Sequence, residues 1–335
     1  MARRARLSLI LATSLIALGA VAVAAGAREN EPELLSPPLL SAVSPHLYVD
    51  PSGAAVAAVR ALDQAGRRRD AAFVRRIADQ PTSVWFTDSN PGFVERARRL
   101  AVAATAASRM PVLTLYNIPY RDCAGHSAGG AADAAAYRRW VTALAGALRG
   151  HRAIVVLEPD AVPQAVRGCL SPQRTAERYG LLRHAVAALR TAPGVRIYLD
   201  AGNPTWVAPA RMAPALRSAG IGTASGFALN VANFETTADN VAYGNGLARI
   251  LGGKHFVVDT SRNGNGPAQR GAGDRHWCNP PGRRLGIPPT LRTGHTMVDA
   301  FLWVKRPGES DGACAPGHPP AGHWFPAYAL SLAGG

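Results

Sequence analysis

The sequence predicts an α/β protein that folds as a (β/α) barrel. Short apolar segments alternate with amphipathic helical segments along the whole chain, and this alternation is typical of parallel βαβ units with right-handed crossovers. About eight strands in one domain of this size fit a barrel better than a doubly wound sheet. No Gly-x-Gly-x-x-Gly turn follows the first strand, so a dinucleotide-binding sheet is not indicated.

Each candidate strand is a short apolar run. The clearest one, at residues 154–157, is apolar throughout, as expected for a parallel strand that is covered on both faces. The candidate strands in chain order are residues 47–49, 84–86, 112–116, 154–157, 195–199, 226–229, 256–258 and 300–304. The helices predicted between them include residues 93–107, 131–148, 174–190 and 238–251.

The N-terminal segment has the features of a secretory signal peptide. A basic start is followed by an apolar run at residues 7–25 and by small residues that suit a signal peptidase. The run is also long enough for an uncleaved membrane anchor, but its small residues favour cleavage. We therefore expect a secreted protein with a signal peptide at 1–27, a short tether at 28–44 and a single barrel domain at 45–335. We expect no stable membrane association after cleavage.

The chain is strongly basic, with 37 Lys and Arg against 22 Asp and Glu and a formal net charge of +15. The arginines are scattered over predicted helical faces, and the aromatic residues that would stack bases between them are absent. We interpret the charge as a solvated basic surface and expect no nucleic-acid partner.

Four cysteines without a Cys-x-x-Cys motif favour two disulfides over a metal site in an exported protein. Three pairings are open, and the chain order suggests Cys123 with Cys169 and Cys278 with Cys314, because each pair closes a modest loop.

The histidines near the strand ends have no metal-ligand spacing, and we expect neither a metal nor a cofactor. We interpret them as surface loop residues; they are His126, His276, His295 and His323.

Five of the predicted strands end in loops that carry acidic residues. A barrel brings the carboxyl ends of its strands to one rim, where the catalytic residues of such barrels collect. A single Asp in such a loop is more often a turn residue or a helix cap, but five converging loops indicate a functional site. The acidic residues of these loops are Asp122, Glu158, Asp160, Asp200, Asp259, Glu309 and Asp311.

Two of these acids, Glu158 and Asp160, directly follow one strand and are separated by Pro159. Proline has no N–H to donate and ends the strand, so the two carboxylates need not point the same way. Their pairing as acid and base is therefore left open by the local pattern.

Carboxylate acid–base chemistry fits this rim best. No Gly-x-Ser-x-Gly motif supports a serine nucleophile, and no calcium-binding Asp/Asn/Gly loop is present. Glycoside hydrolysis needs one protonated carboxyl group for the leaving oxygen and a second carboxylate as base or nucleophile. A neighbouring carboxylate raises the pKa of the acid because like charges resist joint ionisation.

Tryptophans at the same strand ends point to sugar binding, since an indole ring can stack on the apolar face of a sugar. Trp85, Trp206 and Trp277 lie in or beside these ends, and core packing is the alternative for each. Trp303 lies inside a strand and is assigned to the core, whereas Trp277 lies in a polar loop and is assigned to the site.

Seven ordered motifs make the chain resemble the family-six glycoside hydrolases, the cellulases that include endoglucanases and cellobiohydrolases. The resemblance runs from about residue 45 to the C-terminus. The motifs are Tyr-Asn-Ile-Pro-x-Arg-Asp-Cys at 116–123, Glu-Pro-Asp at 158–160, Leu-Asp-Ala-Gly at 199–202, Asn-Val-Ala-Asn-Phe at 230–234, Asp-Thr-Ser-Arg-Asn-Gly at 259–264, Trp-Cys-Asn-Pro-Pro-Gly at 277–282 and Phe-Leu-Trp-Val-Lys-x-Pro-Gly-Glu-x-Asp-Gly at 301–312.

The resemblance implies a distorted (β/α) barrel of about seven parallel strands, with an active-site cleft at their carboxyl ends. It also implies hydrolysis of β-1,4-glucan with inversion. Asp160 would be the general acid, and Asp122 would raise its pKa. With the proton on Asp160, we interpret Glu158 as a structural acid at the strand end. Tyr116 would press on the distorted sugar, and Asp311 would be the candidate base, acting through water.

The resemblance further implies a set of sugar-binding residues, with Lys305, Glu309 and Trp277 on the non-reducing side. Together with the tryptophan argument above, the expected substrate-binding residues are Trp85, Asp200, Asn203, Trp206, Asn233, Trp277, Lys305 and Glu309. The cysteine pairing of the family agrees with the pairing that the chain order suggests.

Three places depart from the family pattern, and one of them is the strand at Trp85, which reads Trp-Phe-Thr-Asp and differs slightly from the usual Trp-Leu pattern. Asn203 stands where the family often has His, which would alter a contact on the leaving-group side. Ala128 stands, in our register, where a loop serine usually orients water, which would lower activity.

The compact chain between Asp259 and Asp311 predicts an open cleft and internal cleavage of the glucan. No carbohydrate-binding module is recognised, which favours soluble or amorphous glucan over crystalline cellulose. The alternatives are exo action of the cellobiohydrolase type and a weakly active or non-catalytic glucan-binding envelope protein. We expect a monomer whose partner is a β-1,4-glucan or a cello-oligosaccharide.

Overall fold

The computed structural model describes residues 47–269 and 276–335. Seven parallel strands form one sheet in which each strand pairs with the next strand of the chain, which confirms the predicted α/β fold. The strands are β1 (Val84–Phe86), β2 (Val112–Leu115), β3 (Ala153–Leu157), β4 (Val195–Asp200), β5 (Gly226–Leu229), β6 (His255–Asp259) and β7 (Val298–Leu302).

Helices fill the first five connections between strands, as expected for right-handed parallel crossovers, whereas no helix occurs in the described residues between β6 and β7. The four helices predicted at 93–107, 131–148, 174–190 and 238–251 are all present. The helices are α1 (Ala54–Gln64), α2 (Arg68–Ala78), α3 (Phe93–Ala106), α4 (Ala134–Ala147), α5 (Ala161–Arg167), α6 (Pro172–Leu189), α7 (Pro209–Ala219), α8 (Thr237–Ile250) and α9 (Pro326–Ala333). Asp133, Ser171 and Thr236 cap α4, α6 and α8 by accepting backbone N–H groups at 2.7, 3.3 and 3.1 Å.

The predicted first strand at residues 47–49 is wrong. Leu47 makes only an isolated bridge to Met110. Pro51 follows shortly after, and because proline cannot donate to a ladder, the chain turns there into α1. The sheet therefore begins at β1 and has seven strands.

The barrel closes through a few contacts between the residues at the start of β1 and those that follow β7. Thr82 and Trp303 form an isolated parallel bridge, and the Ser83 N–H donates to the Trp303 carbonyl oxygen at 2.9 Å. The Trp85 indole N–H donates to the Val304 carbonyl oxygen at 2.8 Å. These contacts replace a continuous ladder, so the barrel is distorted.

One hydrophobic cluster lies on each side of the sheet. Alternate residues of β3 belong to one or the other: Val155 packs with helix residues such as Leu182, whereas Val156 packs with Tyr198 and Leu302 inside the barrel. All of β3 is therefore buried, as its sequence predicts.

Both disulfides join loops: one links the loop after β2 to the residues after α5, and the other links the loop after β6 to the loop after β7. Cys123 is bonded to Cys169 and Cys278 to Cys314, which is the pairing that the chain order suggests. The predicted signal peptide at 1–27 and tether at 28–44 lie outside the described residues. In the part of the chain that the structure describes, none of the helices has both the length and the apolar character needed to span a membrane.

Candidate active site

A cleft of about 890 Å³ lies at the carboxyl ends of the strands. Of the predicted catalytic and substrate-binding residues, all but Asp200 line it. The predicted residues in its walls are Trp85, Tyr116, Asp122, Asp160, Asn203, Trp206, Asn233, Trp277, Lys305, Glu309 and Asp311.

Asp160 reaches the cleft through an unusual turn after β3. Glu158 and Asp160 have φ angles of 49° and 69°, in the left-handed region that non-glycine residues rarely occupy. Asp160 stands at the N-cap of α5, yet its side chain does not cap the helix. The carboxyl group of Asp160 is therefore not used as a helix cap, which is the ordinary role of an Asp at this position.

Burial raises the pKa of Asp160 to about 7, and the negative charge of Asp122 adds to the effect. The Tyr116 hydroxyl donates to Oδ2 of Asp160 at 3.3 Å. At neutral pH a large fraction of Asp160 therefore carries a proton. A proton available at this pH is what a general acid needs.

Asp122 lies in a single turn of 3-10 helix after β2, and this turn is held from several sides. Its Oδ2 accepts the Ser127 N–H at 2.6 Å, and its Oδ1 accepts from the Gln164 side-chain amide at 3.4 Å. Arg121 donates to the carbonyl oxygens of Thr87 and Tyr116, both at 2.6 Å. The loop and α5 thus place two carboxyl groups on facing sides of one site.

The buried guanidinium of Arg178 joins these two segments from below. It donates to the carbonyl oxygen of Tyr120 at 2.7 Å and to that of Ala161 at 3.3 Å. Tyr120 lies in the Asp122 loop, and Ala161 is the first residue of α5. Arg178 therefore holds both carboxyl-bearing segments against α6.

Asp200 lies beneath the cleft instead of in its wall, with 1% of its surface exposed. Its Oδ2 accepts the backbone N–H groups of Asp160 at 2.9 Å and Gly202 at 3.2 Å. Burial raises the pKa of Asp200, and the nearby charge of Asp160 raises it further. Asp200 therefore holds the backbone of Asp160.

Asp311 has the opposite electrostatic environment. Burial by itself would raise its pKa, but Arg262 and Lys305 outweigh burial and hold the pKa below its usual value. Arg262 donates to Oδ2 at 2.7 Å, and the Lys305 ammonium lies 3.3 Å from Oδ1. The backbone N–H of Asn279 donates to Oδ2 at 2.9 Å. Asp311 is therefore ionised at the pH at which Asp160 holds its proton.

Glu158 is fully buried and accepts backbone N–H groups of the segment that follows β2. Its carboxyl oxygens accept the N–H groups of Asn117 and Ile118 at 3.0–3.1 Å. Burial raises its pKa to about 7 although these hydrogen bonds act in the opposite direction. This arrangement matches the structural role that the sequence predicts for Glu158.

The tryptophans divide as expected between the cleft and the core. Trp277 is 38% exposed in the cleft wall, with its ring centroid 5.9 Å from that of His126. The Trp85 and Tyr116 rings meet edge-to-face, with their centroids 5.5 Å apart. Trp303 is 2% exposed, and its indole N–H donates to a carbonyl oxygen at 2.9 Å.

Several residues of the site were not predicted from the sequence. His126, His276 and His323 line the cleft, although their Gly- and Pro-rich surroundings indicate only surface loops. Arg178 and Arg262 are buried, which a solvated-surface interpretation of arginine does not anticipate. For Arg262, its position inside one of the motifs of the family resemblance was the one feature of the sequence that could have indicated a role in the site.

One group of potential metal ligands occurs in the described ranges 47–269 and 276–335: His126, Cys278 and Cys314. The two sulfurs are joined to each other, so they are not thiolates and cannot bind a metal in this form. The group does not fit a metal site.

A family model described as Glycosyl hydrolases family 6 matches residues 42–335. Endoglucanase 1 of Streptomyces sp. (strain KSM-9) is 44% identical over 275 residues, covering 81% of this chain and 74% of that protein. Endoglucanase 1 of Streptomyces halstedii is 41% identical over 293 residues, covering 85% and 87%. The endoglucanase Cel6 from Mycobacterium tuberculosis, solved in complex with methyl-cellobiosyl-4-deoxy-4-thio-β-D-cellobioside, is 43% identical with a TM-score of 0.81, covering 86% of this chain and 96% of that chain.

Proposed function

Because this chain belongs to glycosyl hydrolase family 6, we propose that it hydrolyses β-1,4-glucosidic bonds in cellulose or a related β-glucan. In this proposal it cuts within the polymer and inverts the anomeric configuration. The observation that carries the proposal is the contrast between two carboxyl groups in one cleft. The environment of Asp160 raises its pKa to about 7, whereas that of Asp311 lowers its pKa. Such opposed environments separate an acid from a base.

Asp160 acts as the general acid. It donates its proton to the glycosidic oxygen of the leaving sugar as the bond breaks, and an oxocarbenium-like charge develops on the ring that remains. Asp122 faces the same space, so its negative charge both raises the pKa of Asp160 and stabilises that developing positive charge. Tyr116, which contacts Asp160, lies against the sugar at the cleavage point.

Asp311 acts as the base that activates the attacking water. Its contacts with Arg262 and Lys305 keep it ionised, but they also make it a weak base. Proton transfer through intervening water is consistent with a carboxylate that is engaged on both oxygens.

The remaining cleft residues bind the polymer. Trp277 offers an exposed indole face, with Lys305 and Glu309 nearby in the same wall. Asn203, Trp206 and Asn233 line the cleft as well. Asp200 contributes from beneath by holding the backbone of Asp160.

Internal cleavage is supported by the relatives that align over most of the chain, which are named endoglucanases. Action outside the cell is supported by the two disulfides, which persist in oxidising compartments, and by the signal-like segment at residues 1–27.

Replacing the proposed acid tests the proposal. Asp160→Ala should lower reducing-end release from carboxymethylcellulose about a hundredfold or more, because general acid catalysis contributes at least that factor. The circular dichroism spectrum should stay unchanged. The exposed Asp79→Ala variant is the control, and full activity in Asp160→Ala would contradict the assignment.

The same wild-type assay tests inversion and internal cleavage. Proton NMR of the first product should show the α-anomer, and viscosity should fall well before reducing ends accumulate. A β-anomeric first product would contradict inversion, and a slow fall in viscosity would indicate exo action.

A further inference from the structure

Four Arg or Lys side chains line the cleft, and three of them are already engaged. Arg121 donates to carbonyl oxygens of its own loop and of the β1 end. Lys305 pairs with Asp311 at 3.3 Å, and Arg306 pairs with Glu309 at 2.8 Å. These three cations hold protein groups in place.

Arg167 is the fourth, and it is engaged with none of the described residues. It is the last residue of α5, is exposed to solvent and lines the cleft. A second exposed guanidinium stands at the same end of the helix, where Arg211 of α7 donates to the Val166 carbonyl oxygen at 3.2 Å. We call Arg167 and Arg211 the α5 rim.

The carboxylates of the cleft do not neutralise the α5 rim. Glu309 and Asp311 are paired with other cations, and a large fraction of Asp160 carries a proton at neutral pH. Asp122 faces Asp160 at the reacting centre, and no ion pair joins it to Arg167. Among the described residues, the α5 rim thus presents positive charge that is paired with no carboxylate, beside the place where the polymer lies.

We infer that the α5 rim binds carboxylate groups carried by the polymer, so that this enzyme prefers an anionic β-1,4-glucan to a neutral one. The inference rests on the proposed function, because it names the substrate class of the same cleft. A guanidinium matches a carboxylate with two parallel N–H donors, and Arg211 adds attraction over a range of about 10 Å at 0.1 M salt. A neutral glucan offers only hydroxyl groups and gains little from the free charge.

Binding to two soluble polymers tests this directly, without dependence on hydrolysis. The Asp160→Ala protein, with and without Arg167→Gln, is run in native gels that contain carboxymethylcellulose or neutral hydroxyethylcellulose. Arg167→Gln should weaken binding to carboxymethylcellulose about two- to fivefold, the value of one exposed ion pair, and leave binding to hydroxyethylcellulose unchanged. Added Arg211→Gln should weaken it further, and 0.5 M salt should abolish the difference.

Two matched variants separate local recognition from general charge and from folding. Arg249→Gln removes an exposed arginine of α8 outside the cleft and should leave both affinities unchanged. Arg167→Lys keeps the charge but loses the two parallel N–H donors, so it should retain only part of the preference.

Three outcomes would overturn the inference. These are equal loss on both polymers in Arg167→Gln, no loss on carboxymethylcellulose, or the same loss in Arg249→Gln. A wild-type protein that binds both polymers but hydrolyses neither would instead contradict the proposed function, and the binding comparison would still decide the role of the α5 rim.

Discussion

At the scale of single residues, the site depends on a strained turn. Two left-handed residues flank Pro159, and each such conformation costs about 1–3 kcal/mol unless its surroundings impose it. Here Asp200 accepts the backbone N–H of Asp160, and Glu158 accepts two N–H groups from the end of β2. These bonds turn the Asp160 side chain toward the cleft instead of toward the first turn of α5.

The pKa of Asp160 should respond to the charge of Asp122. A general acid works in its protonated form, so kcat/KM should fall as pH rises through about 7. Asp122→Asn removes a like charge and lowers the pKa of Asp160, so this basic limb should move to lower pH. Because burial is the larger cause, the limb should remain above the ordinary aspartate range. The pH profile of kcat/KM measures this, with Asp79→Asn as the control; an unmoved limb would refute the coupling.

At the scale of elements, the ends of two strands are joined by one buried carboxyl group. Glu158 follows β3 and accepts N–H groups that follow β2. These N–H groups lie where the sheet ladder has ended and would otherwise lack partners in a buried place. The same contact fixes Tyr116, which precedes them, near Asp160.

This contact should make stability depend on pH. The pKa of Glu158 is about 7 in the folded state against an ordinary value of 4.5, so the folded protein keeps a proton that the unfolded chain releases. The stability that Glu158 contributes in this way is fully present below about pH 4.5 and is lost as the pH rises through about 7. The free energy of unfolding should fall by about 3 kcal/mol over this range.

Glu158→Gln should reduce that slope, because glutamine does not titrate and can still accept these N–H groups. Urea unfolding at pH 5 and pH 8 measures the difference. The exposed Glu177→Gln variant should keep the wild-type slope. An equal slope in Glu158→Gln would show that Glu158 is not the titrating group.

At the scale of the molecule, the barrel is stable through its two cores, while the rim is stabilised separately. One disulfide ties the Asp122 loop to the end of α5, and the other joins the Trp277 loop to the segment after Asp311. Each lies beside a proposed catalytic residue. The disulfides thus stabilise rim loops that have little apolar packing of their own.

Removing either disulfide should lower stability by a similar amount. The pairs close loops with sequence separations of 46 and 36 residues, so replacing either pair with serine should cost about 2–4 kcal/mol in the free energy of unfolding. Cys123→Ser with Cys169→Ser should also lower kcat/KM, because the Asp122 loop loses its tie to α5. Urea unfolding and activity measure both effects. Unchanged stability in both double variants would contradict this account.

Much of the architecture is predictable from sequence because it is written in local patterns. The apolar run at residues 154–157 predicts a buried parallel strand, and Pro159 predicts where that strand ends. The segment at 47–49 has a similar apolar pattern but forms only an isolated bridge between Leu47 and Met110, because the chain turns at Pro51 into α1 before a ladder can continue. The four predicted helices agree with the structure to within a few residues at each end.

The sequence by itself determined which residues stand at the strand ends and that carboxylates and indoles are concentrated there. Only the tertiary structure decided what each carboxyl group can do. Asp160, Asp200 and Asp311 are chemically identical, yet burial beside Asp122 protonates the first, a place beneath the cleft turns the second to the backbone, and Arg262 keeps the third ionised. The physical reason is that a pKa depends on burial and on charges within a few ångströms, and those neighbours come from distant parts of the chain.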